Sequence, residues 1–297
     1  MHRLNQVVIV LSSLILCSAI ISCSPDDRDS YQQIQVLRVG VLPDTHNATL
    51  VDRYTPLIDY LAEQIDFPVK LVLSDSYAHL LALVADKQID MAHFGGVTFV
   101  KAYNESHVIP LVMRDVDLRF TSSFIVRSDN PLKTLEDGHD AKLSFGSPLS
   151  TSGHFMPRYF MSERSISPES FFSQVVYSGT HDGTVRAVRD GRVDIGVANT
   201  LVINRLRDSD ATIRDQIRTL WETPPYVDYV WAVRAETVPA LRIQLRNAFL
   251  MLTNKDPDQA AILHKLGAAY YLPASLDDFE ALRSILANNN HLTGNRP

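Results

Sequence analysis

Residues 70–92 recur, as a pattern, 104 positions later at residues 174–196. Val72, Ser74, Val84, Asp86 and Asp90 fall on Val176, Ser178, Val188, Asp190 and Asp194. The surroundings keep their apolar character: Leu71, Ile89 and Met91 fall on Val175, Val193 and Ile195, and upstream Val39-Gly40-Val41 falls on Leu143-Ser144-Phe145. Two copies of one α/β unit in a single chain usually place a ligand in the cleft between them. The repeat therefore makes binding, rather than chemistry, the leading expectation.

What precedes the first copy reads as an export signal, to be set aside from fold reasoning. Arg3 supplies its positive start, and residues 7–21 form an apolar run interrupted only by Ser12, Ser13 and Ser18. That run of 15 is shorter than the about 20 residues a membrane span needs. It ends in Ile20-Ile21-Ser22-Cys23, which resembles the lipobox of bacterial lipoproteins, with Ile20 in the usual place of Leu and Ile21 in that of a small residue. The expectation is a signal peptide over 1–22, a lipidated Cys23 and a polar tether to residue 33, with plain secretion as the alternative.

Both cysteines, Cys17 and Cys23, lie in this segment, so the exported domain has no disulfide, thiol nucleophile or thiolate metal ligand. Cleavage removes 22 of 297 residues and leaves 275, enough for two lobes and a substantial core. It also removes Arg3, taking the formal charge from −6 to −7. The basic residues are scattered and not interleaved with aromatics, which argues against nucleic acid as a partner.

Each copy reads as strand, helix, strand, helix, strand. In the first these are residues 37–42, a helix over 56–65 with Leu57, Ile58, Leu61, Ala62 and Ile65 on one face, then 69–73, 77–85 and 89–94. In the second they are 142–146, 153–162, 174–177, 183–189 and 193–197. Such alternation predicts βαβ units and mainly parallel sheets, with ligands beyond the carboxyl ends of the strands. Residues 120–127 and 226–234 are the expected crossings. The expected lobes are therefore 34–122 with 229–297, and 123–228 with the hinge strands.

Between a strand and a helix lies Ser147-Pro148-Leu149-Ser150-Thr151-Ser152-Gly153. Adjacent hydroxyls at a helix N-terminus, with free backbone N–H groups and the positive dipole end, form an anion cradle. A single hydroxyl is enough for an N-cap, which is the plainer reading. Thr151 and Ser152 would donate, and Gly153 would let the backbone approach closely. Tyr77 and His181 are equivalent under the 104-residue shift, each opening a helix after a strand, and both are donors to an oxyanion. Asp228 stands in the otherwise apolar Tyr226-Val227-Asp228-Tyr229-Val230-Trp231. A carboxylate there needs a partner. Either it forms a hinge or surface ion pair, or it accepts the proton of a ligand that sulfate would not carry.

The ten histidines show no HxxxH or HxH spacing, so neither a metal site nor another cofactor is expected. No GxSxG elbow accompanies the serines, which disfavours a hydrolase.

The chain resembles the phosphate/phosphite/phosphonate-binding proteins of ABC transporters, a family of type II periplasmic binding proteins, over about residues 36–234. The resemblance rests on Ser74-Asp75-Ser76-Tyr77-Ala78, Ile89-Asp90-Met91-Ala92-His93-Phe94-Gly95, residues 146–153, Tyr177-Ser178-Gly179-Thr180-His181-Asp182 and Asp228-Tyr229-Val230-Trp231. It implies an α/β fold of two βαβ-type lobes joined by two hinge strands, closing on one tetrahedral anion. Tyr77, Ser150, Thr151, Ser152, His181 and Asp228 are its implied contacts, with Phe94, Gly153 and Tyr226 as further candidates.

Two departures bear on the ligand. The Glu with which some members hold an aminoethyl group corresponds to Leu201, and the usual pocket Tyr or Trp to His93-Phe94. Both favour phosphite, methylphosphonate or phosphate over an aminoalkyl phosphonate. The implied partners are that oxyanion, a permease with its ATPase, and the membrane through the lipid anchor, with the protein itself a monomer outside the cytoplasm. A sensing protein feeding a membrane signalling partner, and an enzyme acting on phosphate esters or phosphonates, are the competing readings.

Overall fold

The computed structural model describes residues 36–289; the export segment, Cys23 and the tether lie outside the described residues. The first copy is β1 (Leu37–Val41), α1 (Asn47–Ile65), β2 (Val69–Val72), α2 (Tyr77–Ala85) and β3 (Met91–Phe94), followed by α3 (Gly96–Ser106) and β4 (Ile109–Arg114). The chain then crosses to β5 (Ser122–Arg127) and the second copy: β6 (Lys142–Phe145), α4 (Met156–Ser162), α5 (Pro168–Phe171), β7 (Gln174–Tyr177), α6 (His181–Arg189) and β8 (Ile195–Asn199). After α7 (Thr200–Ser209), α8 (Ala211–Gln216) and β9 (Ile217–Glu222) it returns to β10 (Val230–Val233), α9 (Pro239–Met251), α10 (Pro257–Leu266), β11 (Tyr271–Pro273) and α11 (Glu280–Asn288).

The strands form two sheets, ordered β11-β4-β10-β3-β1-β2 and β7-β6-β8-β5-β9. The repeat is visible in their hydrogen bonding. Leu37 pairs with Val69 and Lys142 with Gln174, both 32 positions apart; Val39 pairs with Met91 and Leu143 with Ile195, both 52 apart. Asp90 N donates to Arg38 O while Arg38 N donates to the Asp90 carboxylate, and Asp194 and Lys142 make the same exchange. The hydroxyls of Ser76 and Thr180 cap α2 and α6 by accepting from His79 N and Gly183 N. The repeat also runs further than the sequence pattern suggests, because Gly95 and Asn199, again 104 apart, are the N-caps of α3 and α7.

Parallel pairing is confined to the repeats. β1 with β2 and β3, and β6 with β7 and β8, run parallel, whereas all pairs made by β10, β11 and β5 are antiparallel. The expected mainly parallel sheets are thus mixed, since strands arriving from the other lobe enter in the opposite sense. The two crossings touch: Phe120 and Tyr226 exchange backbone hydrogen bonds of 2.7 and 2.9 Å. Residues 122–127 and 230–233 already belong to the sheets, so the crossings are shorter than the sequence suggested.

Helix α1 begins nine residues before Pro56, which lies inside it. Leu50, Arg53, Tyr54, Leu57 and Leu61 make one buried stripe, and that stripe outweighs the missing N–H. The carbonyl thereby freed, Asp52 O, accepts from Lys265 Nζ at 3.2 Å.

Candidate functional site

Tyr77 and His181 are the first helical residues of α2 and α6, one from each repeat, and both are buried. His181 Nδ1 accepts from Asn199 N at 3.3 Å. Burial, its largest influence, lowers the imidazole pKa. A neutral ring with Nδ1 accepting carries its hydrogen on Nε2. That Nε2 is buried and has no partner among the described residues.

Ser150 to Gly153 open a helical turn, Thr151–Phe155, that runs into α4. Ser150 Oγ accepts from Gly153 N at 2.9 Å, and Thr151 Oγ1 accepts from Val97 N at 2.9 Å. Each hydroxyl oxygen is thereby positioned by a backbone N–H while its own hydrogen stays available. Ser152 Oγ is buried without a partner among the described residues, and the Tyr77 phenol lies beside the Ser150 hydroxyl. Gly153 is where the parts meet. A Cβ there would stand 2.9 Å from Ser150 Oγ and 3.0 Å from His181 Cε1.

Asp228 has no exposed surface. Its Oδ1 accepts from Gly96 N at 2.8 Å and its Oδ2 has no partner among the described residues. The second repeat shows why it is there. Asn199 caps α7 with its own side chain, accepting from Leu201 N and Val202 N, whereas Gly95 has none to offer. The first N–H groups of α3 are satisfied instead by Asp228 and Thr151. Burial raises the Asp228 pKa to about 7, against the opposing influence of the Gly96 N–H and of the neighbouring Thr151 and Ser152 hydroxyls. The carboxyl group therefore changes protonation near neutral pH.

Tyr226 bonds through its hydroxyl to Ser122 Oγ, which donates to Ser152 O at 2.7 Å, so this pair braces the cradle from behind. Phe94 is fully buried in the apolar cluster beneath Tyr77 and Tyr229. Sequence reasoning missed Asn199, which sets the His181 tautomer, and Ser122, which holds the cradle backbone. Asn199 carries a local signal, an Asn immediately before a helix; Ser122 carries none.

The lobes meet around these residues. His181 N donates to Asp44 O at 3.0 Å, Asn199 Nδ2 donates to the Tyr229 hydroxyl at 3.1 Å, and His46 Nε2 lies 3.1 Å from Asp182 Oδ2. Above them a mouth of about 620 Å³ runs between His46, Asp75 and Tyr77 on one side and Ser147 and Thr180 on the other.

A profile of the periplasmic phosphonate substrate-binding proteins of ABC transporters matches residues 39–279. The chain belongs to that family. It is 27% identical over 263 residues, 84% of this chain and 89% of the relative, to a probable ABC transporter phosphite binding protein, PhnD1, of Prochlorococcus marinus (strain MIT 9301). It is 24% identical over 253 residues, 82% of this chain and 74% of the relative, to the phosphonates-binding periplasmic protein of Escherichia coli (strain K12). The structure of the Prochlorococcus PhnD1 in complex with methylphosphonate matches with a TM-score of 0.82 at 26% identity, over 86% of this chain and 98% of that one. The fold is that of the type II periplasmic binding proteins. The family is the extracytoplasmic binding component of an ABC transporter, a transport part rather than an enzyme.

Proposed function

We propose that the chain captures a small phosphorus oxyanion, such as phosphite, methylphosphonate or phosphate, and presents it to a permease and its ATPase. The observation that carries this reading is a trio of buried polar atoms without partners among the described residues: Ser152 Oγ, His181 Nε2 and Asp228 Oδ2. Orphaned groups of this kind cost about 1–3 kcal/mol each unless something polar meets them. Two are donors and the third is a carboxyl oxygen, a set that suits an oxyanion carrying one shared proton.

In this reading His181 Nε2–H, Ser152, Ser150, Thr151 and the Tyr77 phenol donate to the outer oxygens. The amino end of the Thr151–Phe155 turn adds its free N–H groups. Asp228 shares the proton. The second pKa of a phosphate group is about 6, so ligand and carboxyl titrate close together and one proton serves both. Sulfate brings no proton and would meet a charged Asp228 with repulsion. Gly153 leaves room for the anion, Tyr226 stiffens the cradle and Phe94 floors it. Leu201, apolar where an ammonium would need a carboxylate, favours a small or absent substituent. A lipid on Cys23 would hold the protein, as a monomer, at the membrane.

Calorimetry against phosphite, methylphosphonate, phosphate, aminoethylphosphonate and sulfate tests the reading. Binding of one of the first three well below millimolar, with sulfate and aminoethylphosphonate far weaker, is expected. No binding tighter than millimolar to any phosphorus compound would remove it. For the anchor, Cys23→Ser should move the protein from the membrane to the soluble fraction.

A further inference from the structure

Helix α9 is apolar on two sides. Leu245, Ala248 and Phe249 face the core, where the centre of the Phe249 ring lies 5.2 Å from that of Trp231 and 4.9 Å from that of Tyr271. The Tyr60 hydroxyl donates to Ala248 O at 2.9 Å and fixes the helix against α1. These contacts settle which face is left outside. Every exposed residue of α9 is uncharged, and the only polar ones are Gln244 and Asn247. Ile243 and Met251 are 60% and 66% exposed, and Leu250 stands seven positions after Ile243, almost in line with it. With Val238, just before the helix, these are four of the eight large apolar side chains exposed among the described residues. Scattered apolar side chains are ordinary on a surface, but a run of them along one helix marks an interaction surface.

Charge and connectivity say what covers it. Arg242 and Arg246, four positions apart at the edge of this face, make no ion pair or side-chain hydrogen bond among the described residues. No acidic residue lies on α9, although the whole chain has a formal charge of −6. An apolar face edged by unpaired arginines fits an anionic lipid surface, its side chains entering the acyl boundary while the guanidiniums meet phosphates. The α9 of a second copy, seated there by a two-fold axis, would offer those arginines only uncharged side chains and further arginines. At 13 residues the helix is shorter than the about 20 a span needs, so it would lie on the bilayer rather than cross it. The attachment of the N-terminal segment agrees. Val39 and Val233 both pair with Met91, and Arg38 and Arg234 both hold the Asp90 carboxylate. β1 therefore begins at the end of the sheet where β10 leads into α9. Twelve residues, 24–35, separate Cys23 from the described fold. Fully extended they reach about 40 Å, against about 20 Å for the length of α9. With the proposed lipid on Cys23, that reach brings the helix to the bilayer.

We propose that the outward face of α9 rests on an anionic phospholipid surface and so orients the tethered protein, with Ile243, Leu250 and Met251 in the acyl boundary and Arg242 and Arg246 on phosphates. No residue of the ligand site or its mouth lies on α9, so the contact leaves ligand entry free. The mature chain without lipid, residues 24–297, contains no cysteine, so Met251→Cys takes a single polarity-sensitive dye. Parent and labelled protein are sedimented with phosphatidylcholine vesicles, with and without about one-third phosphatidylglycerol. Half-binding is expected near roughly 1 mM lipid in the mixed vesicles, weaker than a single myristoyl chain gives, together with a blue shift of the dye. Arg242→Gln combined with Arg246→Gln should weaken that binding about tenfold. Ile243→Asp combined with Leu250→Asp should abolish it while leaving the circular dichroism spectrum unchanged. No binding of the parent up to about 10 mM lipid overturns the proposal, as does binding that both double variants retain. A blue shift that grows with protein concentration in the absence of lipid also overturns it, and assigns the face to a second copy of the chain. Because the protein tested carries no lipid, the result is independent of the Cys23→Ser fractionation that tests the anchor.

Discussion

Thr151 Oγ1 accepts the backbone N–H of Val97 at 2.9 Å, which joins the cradle of one lobe to the first turn of α3 in the other. The hydroxyl that the proposed function assigns to the anion is therefore aimed by the opposite lobe. Formation of the cradle and closure of the cleft become one event.

Thr151→Val keeps the shape and removes both functions. We expect methylphosphonate affinity to fall about 10- to 100-fold, the range for a hydrogen bond to a charged group. Thr151→Ser should recover most of it. Calorimetry on the three proteins decides, and equal affinities would show that the hydroxyl is a cap only.

Asp228 should govern how binding depends on pH. In the proposed function one proton is shared between the ligand and its carboxyl, which titrates near 7. Affinity should therefore peak near neutral pH and decline above about pH 8, where neither partner keeps the proton. Asp228→Asn, whose amide always donates, should flatten the alkaline limb and admit sulfate. Titrations from about pH 5 to about pH 9 check this; unchanged selectivity would remove the proton-sharing role.

The same carboxyl has a predictable effect on stability. A folded-state pKa of about 7 against the ordinary 3.8 of an aspartate means the fold disfavours the charged form. The penalty is absent below the lower value, grows as pH rises between the two, and is complete above the higher one. It amounts to at most about 4 kcal/mol. Asp228→Asn should therefore raise the unliganded melting temperature at pH 8 and leave it nearly unchanged near pH 4.

Gly153→Ala should separate binding from folding. Its Cβ would press on Ser150 Oγ and His181 Cε1 at the point where they converge. Overpacking of this kind costs about 1–3 kcal/mol. Ligand affinity is expected to fall at least tenfold, with the circular dichroism spectrum unchanged.

Two equivalent carboxylates should differ in what they contribute. Asp90 is buried and holds Arg38 and Arg234 at 2.8 and 2.9 Å, whereas Asp194 is exposed and accepts from Lys142 N. Removing a buried partner strands charge, so Asp90→Ala should cost about 3–5 kcal/mol. Asp194→Ala should cost about 1 kcal/mol. Urea denaturation of both variants measures the difference.

Helices at 77–85 and 181–189 were legible, the first to the residue and the second within two, because each follows a β-branched strand and opens on a hydroxyl cap. So was the pairing of Tyr77 with His181, which needs only the 104-residue offset. The early start of α1 was hidden by Pro56, a local signal overruled by a buried stripe and by Lys265, far along the chain. Asp228 was recognisable as an anomaly in an apolar strand, but not as the cap of a helix that begins with two glycines.

The amino-acid order by itself determined the repeat, the strand and helix sequence of each copy, and the run of hydroxyls from Ser150 to Ser152 that opens a helical turn, since all of these depend on neighbours within a turn or a strand. Tertiary structure alone decided that Val97 aims Thr151, that Asn199 sets the hydrogen of His181, and that Asp228 titrates near neutrality. Those properties come from burial and from partners between 18 and 132 positions away, distances at which no local pattern specifies a contact.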